Sequence, residues 1–101
     1  MKVGDILVYA YGYNARYPHF VRIIRMTNSF VWVEDVPKKW YSYDGCGYGQ
    51  NGYVVPDFKA KTTPVKGRFK IRKGSYFGEC TKINGCLAII WDGRPEDEYT
   101  D

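Results

Sequence analysis

The stretch YFGECTKINGCLAIIW, residues 76–91, decides the fold, because an Asn-Gly pair stands between two runs of strand-forming residues. Asn-Gly with apolar and β-branched residues on both sides is the strongest short-range signal of a β-hairpin. Residues 76–83 and 86–91 are therefore predicted to be antiparallel neighbours. The register of this hairpin decides which of its side chains share a face of the sheet.

Two registers are compatible with the Asn84-Gly85 turn. A two-residue turn places Ile83 opposite Cys86 and sends Cys80 to the other face of the sheet. A three-residue turn with a glycine bulge shifts the pairing by one residue and puts both cysteines on one face. The bulged register also gathers apolar residues on one side, namely Phe77, Thr81, Ile83, Leu87, Ile89 and Trp91. The pattern slightly favours the bulged register.

Further strand patterns extend outward from the hairpin. They occupy residues 5–11, 18–27, 30–36 and 67–73. In the last of these, Arg68, Lys70 and Arg72 are predicted to face outward because they alternate with the apolar residues Phe69 and Ile71. No segment has a helical period over a helical length. Six short strands predict one all-β domain, a small antiparallel SH3-like barrel or roll, for the whole chain of 101 residues.

A long insertion, residues 37–66, separates the third strand from the basic strand. It contains WYSYDGCGYGQNGY, residues 40–53, which is rich in tyrosine and glycine. Rigid aromatics on a glycine-rich segment are typical of recognition loops, so we predict a partner-binding loop rooted by Trp40. Its predicted contact residues are Trp40, Tyr41, Tyr43, Tyr48 and Tyr53. We expect Trp40 and Tyr41 to pack against the barrel, and GYVVPDF to form one short edge strand that ends at Pro56.

Charge is distributed unevenly along the chain. The net charge is +4, yet residues 1–91 have a balance of +8 and residues 92–101 a balance of −4. We predict that this acidic tail meets a basic partner, because opposite charges speed association. The alternatives are a tail that folds over the basic face of the same molecule and limits adventitious binding, and a solvated tail without a role. The acidic residues of the tail are Asp92, Glu96, Asp97, Glu98 and Asp101.

Composition and motifs exclude several classes of protein. No apolar run is long enough for a membrane span, and no signal peptide is recognisable. Three cysteines provide no disulfide framework, so we expect a reducing cytoplasm. His19 is the single histidine, no nucleophile motif accompanies it, and the acidic residues are scattered. We therefore predict a binding protein without catalysis.

The cysteines raise the possibility of structural zinc. Together, Cys46, Cys80, Cys86 and His19 make a Cys3His set, one of the tetrahedral types. The bulged register would put Cys80 and Cys86 on one face, as a shared ion requires. The alternative is that these two are small core residues and that Cys46 is a free thiol.

A basic segment offers a surface for nucleic acid. Residues 59–73 contain seven Lys and Arg residues and no acid. The side chains of Arg68, Lys70, Arg72 and Lys73 would neutralise phosphates while nearby tyrosines stack on bases. The alternative is a basic edge strand that prevents pairing between sheets of different molecules.

The two ends of the chain resemble small uncharacterised proteins of bacterial phages and mobile elements. That group opens with Gly-Asp-Ile, continues with an aromatic-Gly-Tyr-Asp turn and closes on Trp-Asp-Gly-Lys-Pro. The matching positions here are Gly4, Asp5, Ile6, Tyr11, Gly12, Tyr13, Asn14 and Trp91 to Pro95. Tyr11 stands where the group usually has tryptophan, and neither the cysteines nor residues 40–53 belong to the pattern.

This resemblance implies a biological setting but no catalytic residue. Small accessory proteins of phages often block host defences, and anti-CRISPR proteins are the best-known class. We therefore expect a non-enzymatic, anti-CRISPR-like counter-defence protein that binds a bacterial defence nuclease, or its nucleic-acid groove, in the host cytoplasm. One alternative is a nucleic-acid-binding barrel that uses residues 59–73, and another is a zinc-stabilised structural subunit of a phage particle.

Overall fold

The computed structural model describes residues 1–12, 15–44, 51–74 and 78–99, and the regular structure within these ranges is entirely β. The strands are β1 (Ile6–Tyr11), β2 (Tyr17–Met26), β3 (Phe30–Val36), β4 (Lys38–Asp44), β5 (Asn51–Pro56), β6 (Thr63–Pro64), β7 (Phe69–Lys70), β8 (Arg72–Gly74), β9 (Gly78–Ile83), β10 (Cys86–Ile90) and β11 (Glu96–Tyr99). Their pairings are antiparallel. Over the described ranges, no helix has the length and apolar character needed to cross a membrane.

The main sheet is a roll. Its strand order is β6-β3-β2-β1-β10-β9-β8, and β7 also pairs with β3. Residues 69–74 therefore connect β3 with β9, two strands that are far apart in the strand order, because β7 pairs with β3 and β8 pairs with β9. The Thr81 hydroxyl strengthens this junction by donating to the Lys70 carbonyl at 2.7 Å. The predicted all-β antiparallel class is confirmed, in the form of a roll and not a closed barrel.

The inner face of the roll carries the first core. Its buried residues are Leu7, Tyr9, Val21, Ile23, Val31, Val33, Ile83 and Ala88. They come from alternate positions of five strands, so the intervening residues point to the outer face. Burial of these apolar side chains is the main stabilising contribution to the roll.

A second sheet, with the order β11-β5-β4, covers part of the outer face. A second core lies between the two sheets and contains Val8, Phe20, Val36 and Val54. Much of the insertion at residues 37–66 is thus a hairpin and not a loop. β5 ends at Pro56, as predicted, but it is the central strand of its sheet and not an edge strand.

The hairpin at Asn84-Gly85 has the two-residue register. Ile83 pairs with Cys86, and Cys80 pairs with Ile89. Asn84 and Gly85 have φ values of 52° and 79°, as a type I′ turn requires. The preference for the bulged register was therefore wrong. Apolar residues belong on both faces of this hairpin, because Ile83 packs in the first core and Ile89 against the second.

The remaining strand predictions are confirmed in position. Residues 5–11, 18–27 and 30–36 correspond to β1, β2 and β3. The basic strand divides into β7 and β8, with Phe69 and Ile71 packed against the first core. Arg68, Lys70 and Arg72 are exposed, as the alternation predicted.

Candidate functional site

The outer face of β3 carries two aromatic rings that are each covered by an arginine. Phe30 and Trp32 occupy alternate positions of β3 and point away from the first core. The Arg68 guanidinium lies 4.0 Å from the centre of the Phe30 ring, and the Arg25 guanidinium lies 4.5 Å from the Trp32 ring. The arginine–aromatic face is defined as Arg25, Phe30, Trp32, Arg68, Lys70 and Arg72.

A bulge in β2 places Arg25 on this face. The register between β2 and β3 shifts between Ile23 and Arg25, so Arg25 lies opposite Trp32. Without the extra residue, Arg25 would follow the alternation of Ile23 and point towards the first core. Lys70 reaches the same face because β7 pairs it with Phe30.

Electrostatics make the arginine–aromatic face cationic. The nearby Glu34 is engaged, because its Oε1 lies 3.4 Å from Arg22 Nε and its Oε2 accepts a hydrogen bond of 2.9 Å from Thr62. The contact with Arg22 is an ion pair without a well-aligned hydrogen bond. In contrast, the four cations of the face make no ion pair with any described residue. Its charge is therefore available to an anionic partner.

The structure separates the residues of the predicted nucleic-acid stripe. Arg68, Lys70 and Arg72 are exposed on the outer side of the roll. Lys73 lies opposite Glu79 and therefore belongs to the other face. The sequence interpretation missed Arg25, because a bulge in β2 leaves no local mark in the sequence. It also missed Phe30 and Trp32, although their alternation in β3 is visible there.

A cleft of about 610 Å³ opens at the end of the roll near the Asn84 turn. Its lining includes Tyr9, Tyr11, His19, Asp35, Lys38 and Asn84. The imidazole of His19 lies between two phenol rings. Its centroid is 5.4 Å from that of Tyr9, at an interplanar angle of 21°, and 4.9 Å from that of Tyr11, at 9°.

Burial controls protonation in this cleft. His19 Nε2 is buried and has no hydrogen-bond partner among the described residues. Desolvation, and then the charge of Lys38, lower the pKa of His19 from its usual 6.5, against the opposing effect of Asp35 and Glu98. Desolvation and Asp35 raise the pKa of Tyr9, although a hydrogen bond with the Asn84 side chain acts in the other direction. His19 is therefore neutral at pH 7.

The spacing of the cleft residues is a signal that sequence analysis could have used. Tyr9 and Tyr11 are two residues apart on β1, and Tyr17 and His19 are two apart on β2. Antiparallel pairing brings Tyr9 opposite His19 and Tyr11 opposite Tyr17. Four aromatic rings at this spacing predict a stack on one face once the register is known.

The predicted partner-binding aromatics are distributed over both sides of the second sheet. Tyr53 and Tyr99 are 48% and 39% exposed, and Tyr41, at the bulge of β4, is 68% exposed. These three tyrosines are defined as the tyrosine surface. Trp40, 40% exposed, pairs with the core residue Val54 and takes part in a contact within the molecule. Tyr41 does not pack as expected, Tyr43 lies opposite Gly52 in β4, and Tyr48 lies outside the described residues.

Much of the acidic tail is a strand of the second sheet. Glu98, 8% exposed, forms an ion pair with Lys38, whose ammonium also donates to the Pro18 carbonyl at 2.9 Å. Glu96 lies 3.1 Å from the Arg16 guanidinium. These two acids are engaged within the molecule, and the carboxylate of Asp92 accepts a hydrogen bond of 2.9 Å from the Arg94 N–H, which leaves the exposed Asp97 for a partner. Asp101 lies outside the described residues.

The hairpin register separates two members of the predicted zinc set. Cys80 and Cys86 point to opposite faces of the sheet, because the hairpin has the two-residue register. In the parts of the chain that the structure describes, no three His, Cys, Asp or Glu side chains are grouped as metal ligands. Cys46 lies outside the described residues.

The chain was compared with family models, curated proteins and solved structures. No family model matches the chain, and neither the curated proteins nor the solved structures contain a match to it.

Proposed function

We propose that this protein binds single-stranded nucleic acid, without catalysis, through the arginine–aromatic face. The observation that carries the proposal is the pair of stacks on the outer face of β3, Arg68 on Phe30 and Arg25 on Trp32. A guanidinium that lies over one face of a ring can offer its outer side to a nucleobase and its N–H groups to phosphate. Such platforms bind bases of any identity, because every base has a π-face.

The shape of the face favours a single strand over a duplex. The two ring-bound guanidinium groups lie on a β-sheet surface, where unpaired bases can stack on them. Lys70 in β7, which pairs with β3, and Arg72 in β8, which pairs with β9, continue the positive charge, two residues apart in the sequence. A backbone that follows this line would meet one cation at each step.

Binding of fluorescent oligonucleotides, measured by anisotropy, tests the proposal. The double variant Arg25→Gln/Arg68→Gln should lose at least about tenfold in affinity for single strands, because it removes two cations and two stacking surfaces. The slope of log affinity against log salt should also fall by about 0.7 for each charge removed. Lys2→Gln/Lys39→Gln removes the same charge from exposed residues elsewhere and is the matched control.

Two results would contradict nucleic-acid binding at this face. One is an equal loss of affinity in both double variants, which would indicate attraction by overall charge. The other is the absence of single-strand binding at low salt. A preference for duplex DNA would replace the single-strand interpretation with one based on the phosphate backbone alone.

The second candidate function is a phage-type counter-defence inhibitor that binds a bacterial nuclease complex. The tyrosine surface favours it, because exposed tyrosine is typical of protein-binding surfaces. Purified nuclease effector complexes should cleave their target more slowly when the protein is added. Tyr41→Ala/Tyr53→Ala should weaken this inhibition, whereas Lys2→Gln, outside the second sheet, should leave it unchanged. Undiminished cleavage across the panel of nucleases would remove this candidate.

A further inference from the structure

We propose that the cleft at the end of the roll is a binding site for a guanidinium group. The cleft is lined by aromatic ring faces and by hydrogen-bond acceptors, which is the combination that a flat cation with many N–H donors requires. The proposal is independent of nucleic-acid binding, because the cleft shares no residue with the arginine–aromatic face.

The ring faces are arranged for stacking. Tyr11 lies almost parallel to His19, at 9°, and its side chain is 52% exposed. The stack is thus held in place from within by Tyr9 and His19 while its outer member is accessible. A guanidinium prefers such a ring face to bulk water more than an ammonium does, because it is planar and weakly hydrated.

The acceptors are unoccupied by other residues of the described chain. Asp35 is exposed and makes no ion pair within the described ranges. His19 Nε2 is buried without a hydrogen-bond partner there. A carboxylate can accept two parallel N–H bonds from one guanidinium, so Asp35 is the acceptor that a ligand in the cleft can reach, whereas Nε2 has almost no accessible surface.

The surrounding charges also favour a cation. Lys38 is the cation that lines the cleft, and its ammonium is engaged by Glu98 and by the Pro18 carbonyl. Burial keeps His19 neutral, so it does not repel a positive ligand. Asp35 therefore gives the cleft an uncompensated negative charge, which disfavours phosphate and other anions.

Small guanidinium probes test the site directly. Titrations followed by 15N–1H NMR would compare Nα-acetyl-arginine-amide, agmatine and Nα-acetyl-lysine-amide. We expect the arginine probe to bind at least about tenfold tighter than the lysine probe. We also expect shifts at Tyr9, Tyr11, His19 and Asp35. Asp35→Asn should weaken the arginine probe at least about tenfold, whereas Asp97→Asn, an exposed acid on β11, should change its affinity less than about twofold.

The probes also distinguish the source of the guanidinium. Equal affinity for agmatine and the arginine probe supports free guanidino compounds as ligands, and selectivity for the arginine probe supports an arginine of a partner protein. Equal affinity for arginine and lysine probes would overturn the proposal, as would an unchanged affinity in the Asp35→Asn variant. Preferential binding of adenosine or guanosine would assign the cleft to a base instead.

Discussion

Protonation of the His19 imidazole, whose Nε2 is buried, lowers the free energy of unfolding. Burial lowers the pKa of His19 below 6.5, so the unfolded chain binds a proton that the folded chain excludes over the interval between the two pKa values. The free energy of unfolding therefore rises with pH through this interval, and stability is lost as pH falls below about 6.5. Urea denaturation between about pH 5 and pH 7 should show a smaller dependence in His19→Gln. If the free energy of unfolding depended equally on pH in the unmodified protein and in His19→Gln, this account would be contradicted.

Gly12 and Gly85 both have positive φ, and their alanine variants distinguish backbone strain from steric overlap. Gly85 has a φ of 79°, and a Cβ added there would have no atom within 4 Å, so Gly85→Ala should cost only the left-handed conformation, about 1–2 kcal/mol. Gly12 has a φ of 136°, and a Cβ there would lie 2.6 Å from the Ala15 carbonyl oxygen. Gly12→Ala should therefore destabilise more than Gly85→Ala in urea denaturation. The opposite order would show that the close contact between residue 12 and the Ala15 carbonyl can relax.

At the scale of elements, the Lys38–Glu98 ion pair joins β4 to β11 and, through the Pro18 carbonyl, to β2. Glu98→Met should cost about 1–3 kcal/mol, because it leaves a half-buried ammonium with one partner fewer. The double variant Lys38→Met/Glu98→Met should be more stable than the sum of the single variants, since neither charge remains. The more exposed Arg16–Glu96 pair is the control, and its loss should cost less than about 1 kcal/mol. A strictly additive cycle for Lys38 and Glu98 would show that the pair contributes no coupling energy.

Elements with local signals could be predicted from the sequence, and elements with distant partners could not. The Asn84-Gly85 turn and the strands β1 to β3 follow from turn chemistry and from β-branched residues. β11 has an acidic sequence that resembles a solvated tail, and it becomes a strand because β5, more than 40 residues earlier, offers its edge. The arginine–aromatic face likewise depends on the bulge after Ile23, which shifts Arg25 by one position. The outward position of Lys70 in β7 was predicted, because it follows from the simple alternation of polar and apolar residues.

At the scale of the whole molecule, two cores divide the fold into two layers. The first core lies inside the roll, and the second lies between the roll and the second sheet. The arginine–aromatic face belongs to the roll and the tyrosine surface to the second sheet, whereas the cleft is lined by residues of the roll and by Lys38 of β4. Binding at the arginine–aromatic face should therefore persist when the second sheet is weakened.

Removal of β11 is the experiment that separates the two layers. A chain truncated after Pro95 loses the strand that pairs with β5, and Val54, 2% exposed in the intact chain, loses the cover of Glu96 and Glu98. Lys38 and Arg16 lose their carboxylate partners as well. Hydrogen exchange should then show lost protection in β4 and β5, while β1, β2 and β3 stay protected by the first core, because stability is not uniform across a structure. Equal loss in all five strands would show that the roll cannot fold without the second sheet, and unchanged protection in β5 would show that β11 contributes nothing to its stability.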